Sequence, residues 1–218
     1  MQQNKLSTNV SRDFWKKQGF YPAYGDIIKK RRFHEVSVLT DWIWKNNPRF
    51  LADIGCGNGS TVTILQELTD IEKFYCYDIS PAMLDTIAIN HKRSAVIHTN
   101  EVDLCKEYSD FASTDLTTIL GVTVFLTDEQ IIRMMSRVHS SVVILRDPTS
   151  ETHEEINKYS EGLNAEYSAA YRTIDESTML YQAAGWTVLK VFRAFPDEIE
   201  SEFGTKQYFW ICKKEINE

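Results

Sequence analysis

Short runs of apolar and β-branched residues recur along the chain, separated by segments of helical periodicity. The runs are Phe50–Ile54, Phe74–Tyr77, Ala95–His98, Leu116–Leu120, Val142–Leu145, Thr187–Phe192 and Gln207–Cys212. Most are nearly continuous rather than alternating, as expected of strands covered on both faces. Among the intervening segments, Ser60–Leu68 carries Val62, Leu65 and Leu68 on one side, and Pro81–Asn90 opens with proline at a first-turn position. Thr127-Asp128-Glu129-Gln130 has the form of a capping box before Ile131, Met134, Met135 and Val138, and Ser177–Ala184 closes on Gly185. Upstream, Val36, Leu39, Trp42 and Ile43 recur at helical spacing until Asn46-Asn47-Pro48 stops the helix. Strand–helix alternation after Pro48 predicts an α/β fold: a doubly wound, mostly parallel seven-stranded sheet with helices on both faces, preceded by a helical segment.

At 218 residues, without repeats or a Gly/Ser/Pro linker, the chain fits one domain. With 43% hydrophobic and 25% charged residues it is a globular rather than a disordered composition. No apolar stretch is long enough to span a membrane, and Met1–Lys5 opens no signal-like apolar run, so a cytoplasmic location is expected. Cys56, Cys76, Cys105 and Cys212 lie far apart, with no zinc-like spacing, and are expected to pack as small apolar residues. The net charge of −7 is uneven, for the first 49 residues carry ten basic and four acidic side chains. An acidic chain lacks the basic footprint of sequence-independent nucleic-acid binding.

Candidate chemistry begins at Phe50-Leu51-Ala52-Asp53-Ile54-Gly55-Cys56-Gly57-Asn58-Gly59-Ser60. A buried strand runs into three glycines at alternate positions and a helix opens directly after them, the arrangement that brings backbone close to a ligand at the carboxyl ends of parallel strands. Asp78, at the end of the next strand, stands where a carboxylate would accept from ribose hydroxyls. The glycine spacing departs from the dinucleotide pattern, and Asp53 would repel a pyrophosphate but suits a ligand carrying ammonium and sulfonium groups.

Asp53-x-Gly55-x-Gly57-x-Gly59 resembles the first motif of the class I S-adenosylmethionine-dependent methyltransferases, and the order of elements over roughly residues 48–213 resembles theirs. The resemblance implies S-adenosylmethionine as cofactor, S-adenosylhomocysteine as its product, and no metal. Asp78 would then bind ribose, with Ile79 and Met83 packing on adenine. Asp103-Leu104 would lie beside the adenine amino group, and Gly121 near the sulfonium. It further implies that residues 1–47 form an N-terminal helical cap or lid, with Trp15, Tyr24 and Arg32 closing over the methionine moiety. Residues 48–147 would be the cofactor-binding core, 148–175 an acceptor-side insertion, and 176–218 a C-terminal helix and strands. The Lys-Pro-Gly-Gly turn before strand five and the Asn/Asp-Pro-Pro-Tyr after strand four, found in many relatives, are missing here.

Methyl transfer from a sulfonium requires mainly that a nucleophile be held close and aligned, with a general base where that nucleophile is a hydroxyl. Arg146 and Asp147, where the fifth strand emerges before Pro148, and His153 are the candidate catalytic residues; Tyr167, Tyr171 and Arg172 are candidate acceptor contacts. Either stretch also reads as structural: a salt bridge closing the strand, and a packed surface helix. The expected acceptor is a small polar molecule or a saccharide, with oxygen ahead of nitrogen. The alternatives are methylation of tRNA or another RNA, and a cofactor-binding partner subunit without turnover.

Overall fold

A computed structural model of the chain describes residues 6–17, 25–89, 95–160 and 165–214. Seven strands form the main sheet: β1 (Phe50–Ile54), β2 (Lys73–Asp78), β3 (Val96–Glu101), β4 (Thr114–Leu120), β5 (Ser140–Thr149), β8 (Trp186–Arg193) and β9 (Lys206–Lys214). Their order is β3-β2-β1-β4-β5-β9-β8, and only β9 runs antiparallel to its neighbours. The chain reverses direction across the sheet between β1 and β4, which opens a crevice at their carboxyl ends, where the glycine loop sits.

Two apolar layers cover the sheet. On one face Val36, Leu39 and Ile43 of α2 (Gly25–Asn46) join Val62 and Leu65 of α3 (Ser60–Leu68) and Leu84 and Ile87 of α4 (Pro81–Ile89) over Leu51, Phe74, Leu116 and Phe209. On the other, Ile131, Met134 and Met135 of α5 (Asp128–Ser136) and Tyr181 of α6 (Ile174–Ala183) bury Ala52, Ile119, Val143 and Trp210. The capping box at Thr127 and Gln130 forms as expected, and a second, Thr173 with Glu176, starts α6 three residues before the expected point. Asn47 takes φ +49 and its amide bonds Ile43 O, so α2 stops at the asparagine pair.

Three elements depart from the sequence expectation. Residues that also read as a surface helix form a separate hairpin, β6 (Glu154–Ser160) paired with β7 (Ala165–Tyr171). A short helix, α7 (Asp197–Phe203), lies before β9. The N-terminal cap is divided: α2 is a layer helix with Leu39 fully buried, whereas α1 (Thr8–Lys17) docks on the hairpin. There the Ser7 amide donates to Ser168 Oγ (2.8 Å) and Ser11 Oγ donates to Ser168 O (2.5 Å). Of the four cysteines, all free, Cys56, Cys76 and Cys212 are buried, while Cys105 is only half-buried.

Candidate active site

The glycine loop is fixed from both sides by backbone. The Gly55 and Cys56 amides both donate to Tyr77 O at the end of β2, at 2.7 and 3.1 Å. A Cβ at Gly55 would lie 2.2 Å from Val122 Cγ2, and one at Gly59 would lie 2.6 Å from Ile87 Cγ1, so packing alone excludes side chains there. Gly57 differs. Its φ is +55, yet a Cβ would meet only Met83 Sδ at 3.6 Å, an ordinary contact. Gly57 therefore faces open space, the shape expected where a ligand approaches the main chain.

Asp78 braces this loop: its Oδ2 accepts from the Gly57 amide (2.8 Å) and its Oδ1 from the Ser80 amide (2.9 Å). Burial raises its pKa, and those amides oppose the rise. The Ile79 amide also bonds this carboxylate, which keeps lone-pair capacity for a further donor. Asp53, 3% exposed, accepts from Thr118 Oγ1 (2.7 Å), and burial pushes its carboxyl up to about 7. A cavity of about 1270 Å³ lies over the loop; Asp53, Gly55, Gly57, Asp78, Ile79, Met83, Asp103, Leu104 and Gly121 line it, together with Trp15 and Arg32. Gly59 is not among its lining residues, and Tyr24 lies outside the described residues.

Beyond Gly121 the wall is ionic. Arg146 Nε and Nη2 donate to Glu35 Oε2 at 3.1 and 2.8 Å, and Arg146 Nη1 donates to Gln207 Oε1 at 2.8 Å. Arg32 Nη1 reaches Glu35 Oε1 and Thr61 Oγ1, both at 2.5 Å. Burial works to raise the Glu35 pKa, but the Arg146 and Arg32 guanidiniums outweigh it and hold the carboxyl below its ordinary value. Glu35 thus joins Arg32 and Arg146, residues assigned to different roles from sequence. Neither Glu35 nor Gln207 was picked out there. The available signal is that Arg32 and Glu35 extend the Val36–Leu39–Ile43 stripe by one turn toward the start of α2, where a buried charge must be paired.

Pleating separates Arg146 from Asp147. Arg146 turns toward the cavity, whereas Asp147, 2% exposed, accepts from Thr123 Oγ1 (2.9 Å) behind the cavity wall and is not a lining residue. Asp147 Oδ1 has no hydrogen-bond partner among the described residues, and burial pushes this carboxyl up to about 7. His153, expected to be catalytic, stands beside Glu176 (3.2 Å) at the start of α6, away from the lining. Arg172, expected to contact the acceptor, is buried and donates to Thr123 O, Leu126 O and Asp128 Oδ1, so its charge holds the turn between β4 and α5. Tyr167 and Tyr171 do line the cavity, with their hydroxyls 3.5 Å apart.

Sequence reading also missed an aromatic ring of contacts. Phe14 packs edge-on to Trp15 (4.8 Å), Trp15 to Phe125 (5.2 Å), Phe125 to Tyr167 (5.7 Å) and Tyr167 back to Phe14 (6.5 Å). Phe14 is the buried base, and the other three line the cavity. Among the described residues no cluster of three or more His, Cys, Asp or Glu side chains could hold a metal, and no helix is long and apolar enough to cross a membrane.

Comparison with known proteins agrees with this geometry. Magnesium protoporphyrin IX methyltransferase from Synechocystis PCC 6803, solved with S-adenosylmethionine bound, is 13% identical with a TM-score of 0.69, over 97% of this chain and 99% of that one. A S-adenosylmethionine-dependent methyltransferase from Leishmania major is 12% identical with a TM-score of 0.68, over 94% and 82%. A methyltransferase of Haloferax volcanii, solved in complex with the Trm112 activator, is 11% identical with a TM-score of 0.64, over 88% and 92%. No curated protein matches by sequence. These likenesses establish the fold, and the family model for a methyltransferase domain matches residues 52–143, from β1 and its glycine loop into β5. With that match on this sheet order, residues 52–143 form a methyltransferase domain, and the chain has the class I S-adenosylmethionine-dependent methyltransferase fold.

Proposed function

We propose that the chain transfers a methyl group to a hydroxyl oxygen of a small-molecule acceptor bound between α1, the turn after β4 and the β6–β7 hairpin. The observation that carries this reading is the continuity of one cavity, which extends from the glycine loop past Gly121 to Trp15, Phe125, Tyr167 and Tyr171. Donor and acceptor would therefore share one walled space.

The residues present fit the cofactor. Gly57 leaves room against the main chain, and Asp78 keeps lone pairs for ribose hydroxyls. Ile79, Met83, Asp103 and Leu104 would hold the adenine end and Asp53 and Arg32 the methionine end, with Trp15 at the junction between the methionine end and the acceptor space. S-adenosylmethionine supplies a methyl group already activated on a sulfonium. What remains for the chain is to orient the acceptor and exclude water. The Tyr167 and Tyr171 hydroxyls are placed to hydrogen-bond an acceptor hydroxyl. Arg146, held by Glu35 and Gln207, fixes the wall beside Gly121. Asp147 acts through Thr123 as a positioning residue for the turn. Oxygen is favoured over nitrogen because the Tyr167–Tyr171 hydroxyl pair can both donate to and accept from an acceptor hydroxyl.

The test is to incubate the protein with methyl-labelled S-adenosylmethionine and cell extract, then separate small molecules from polymers. Label in an alkali-stable methyl ether of a small molecule is the expected result. Label confined to RNA or protein, or no label at all, would overturn the proposal.

A further inference from the structure

The proposed acceptor wall is built around an edge-to-face cluster of aromatic rings, and we infer that it takes a planar conjugated acceptor rather than a saccharide. This inference rests on the proposed function and narrows its substrate class.

Trp15, Phe125 and Tyr167 come from α1, the turn after β4 and β7, so three distant segments converge on one aromatic surface. Each is half-buried and turned to the cavity, with Leu126 and Pro148 beside them. Several polar groups of the same lining are already paired: Ser11 Oγ donates to Ser168 O, Arg12 to Asp13, and Arg146 to Glu35 and Gln207, while Thr123 and Arg172 lie behind the wall and face Asp147 and the turn. Beside the rings, the Tyr167–Tyr171 hydroxyl pair lines the cavity and can meet one ligand hydroxyl.

A saccharide would bring several hydroxyls into this space, and each one buried without a partner is costly. A planar conjugated acceptor need bring only the hydroxyl that is methylated, and it gains from edge-to-face and offset contacts with rings already held at near-perpendicular angles. Rings fixed by one another lose little freedom on binding, so the surface is preorganised. An apolar acceptor that is saturated and puckered would bury similar area without those contacts, and planarity is therefore the discriminating property.

The experiment is calorimetric titration of protein saturated with S-adenosylhomocysteine, using 2-naphthol, decahydro-2-naphthol and methyl β-glucoside as probes. Expected is 2-naphthol binding about tenfold tighter than its saturated analogue, the worth of one or two aromatic contacts, and no measurable glucoside binding. Phe125→Leu should abolish the planar preference while S-adenosylhomocysteine affinity stays within twofold, which also reports that the variant folds. Tyr167→Leu provides a second, independent loss of ring surface. Equal binding of the two bicyclic probes, a preference surviving in both variants, or tighter binding of the glucoside would overturn the inference. Wild-type protein that does not bind S-adenosylhomocysteine would instead remove the proposed function beneath it.

Discussion

The two ends of the cavity are built by different means. At the cofactor end the main chain does most of the shaping. Gly55 and Cys56 amides bond Tyr77 O, Asp78 accepts from Gly57 and Ser80 amides, and side chains are excluded at Gly55 and Gly59 by direct collision. At the proposed acceptor end the shape comes from side chains of segments more than forty residues apart: Phe14 and Trp15, Phe125, Tyr167 and Arg172. A backbone-built site tolerates only certain residues at fixed spacing. A side-chain-built site can be assembled from many sequences, and this is where members of one fold differ in substrate.

Glu35 is the tie between the ends, and breaking it should have the largest effect. Glu35→Ala leaves Arg146, which is 5% exposed, without its carboxylate, and Arg32 without one as well. Removing one partner of a buried ion pair costs roughly 3–5 kcal/mol. Urea unfolding should show a loss of that order, together with weaker binding of both cofactor and acceptor. A loss below about 1 kcal/mol would mean that the two ends are mechanically independent.

Next comes the contrast within the glycine loop. Gly57→Val adds bulk where the protein itself leaves room, so its cost to folding is the left-handed backbone, about 1–2 kcal/mol. Its cost to cofactor binding should be at least about a hundredfold, because the new side chain fills the ligand's space. Gly55→Val places a methyl onto Val122 and should fail to fold stably. Calorimetry with S-adenosylhomocysteine and circular dichroism separate the two outcomes. Near wild-type affinity in Gly57→Val would show that the ligand approaches elsewhere.

Asp78→Ala should weaken S-adenosylhomocysteine by about one to two decades, the worth of hydrogen bonds to a charged acceptor, about 1.5–3 kcal/mol. Acceptor-end variants such as Phe125→Leu should leave this affinity unchanged. Loss of cofactor affinity in both would erase the distinction between the ends.

That distinction also explains what could be read from the chain. β1 and α3 fall on the residues that periodicity assigned, Phe50–Ile54 and Ser60–Leu68, because continuous apolar runs, glycines and caps are local signals. The hairpin could not be read this way. Glu155-Ile156-Asn157-Lys158-Tyr159 is too polar for a core strand, and its pairing with Ser168 and Tyr167 is specified only across the turn. Arg172 looked like a ligand contact because its type and neighbours fit one. Its partners, the carbonyls of Thr123 and Leu126, lie more than forty residues away and carry no side-chain signature. Asp147 followed Arg146 in sequence, but a strand sends neighbours to opposite faces. His153 was chosen for its chemistry alone, and a histidine beside glutamates at a helix start serves equally well on the surface.

The smallest effect sharpens the role of Asp53. Burial raises its carboxyl to about 7, with the Thr118 hydroxyl opposing, so near neutrality it is part protonated in the unliganded protein. A bound ligand bearing an ammonium and a sulfonium favours the ionised form and lowers that value, so binding releases a proton. Affinity for S-adenosylmethionine should therefore rise by about tenfold between pH 6 and pH 8, as ionised Asp53 grows from about a tenth to most of the population. Asp53→Asn should flatten the dependence and weaken binding chiefly at pH 8. The sign for folding is the reverse. A carboxyl whose pKa is higher in the folded state than in the unfolded state binds its proton more tightly when folded. Its contribution to stability is thus full below about pH 4 and is lost as pH rises through 7. Cofactor-free protein should lose stability over this range while cofactor affinity grows, and Asp53→Asn should blunt both trends together. Calorimetry in two buffers of different ionisation enthalpy measures the proton directly. An affinity that falls from pH 6 to pH 8 would place the ligand's positive groups away from Asp53.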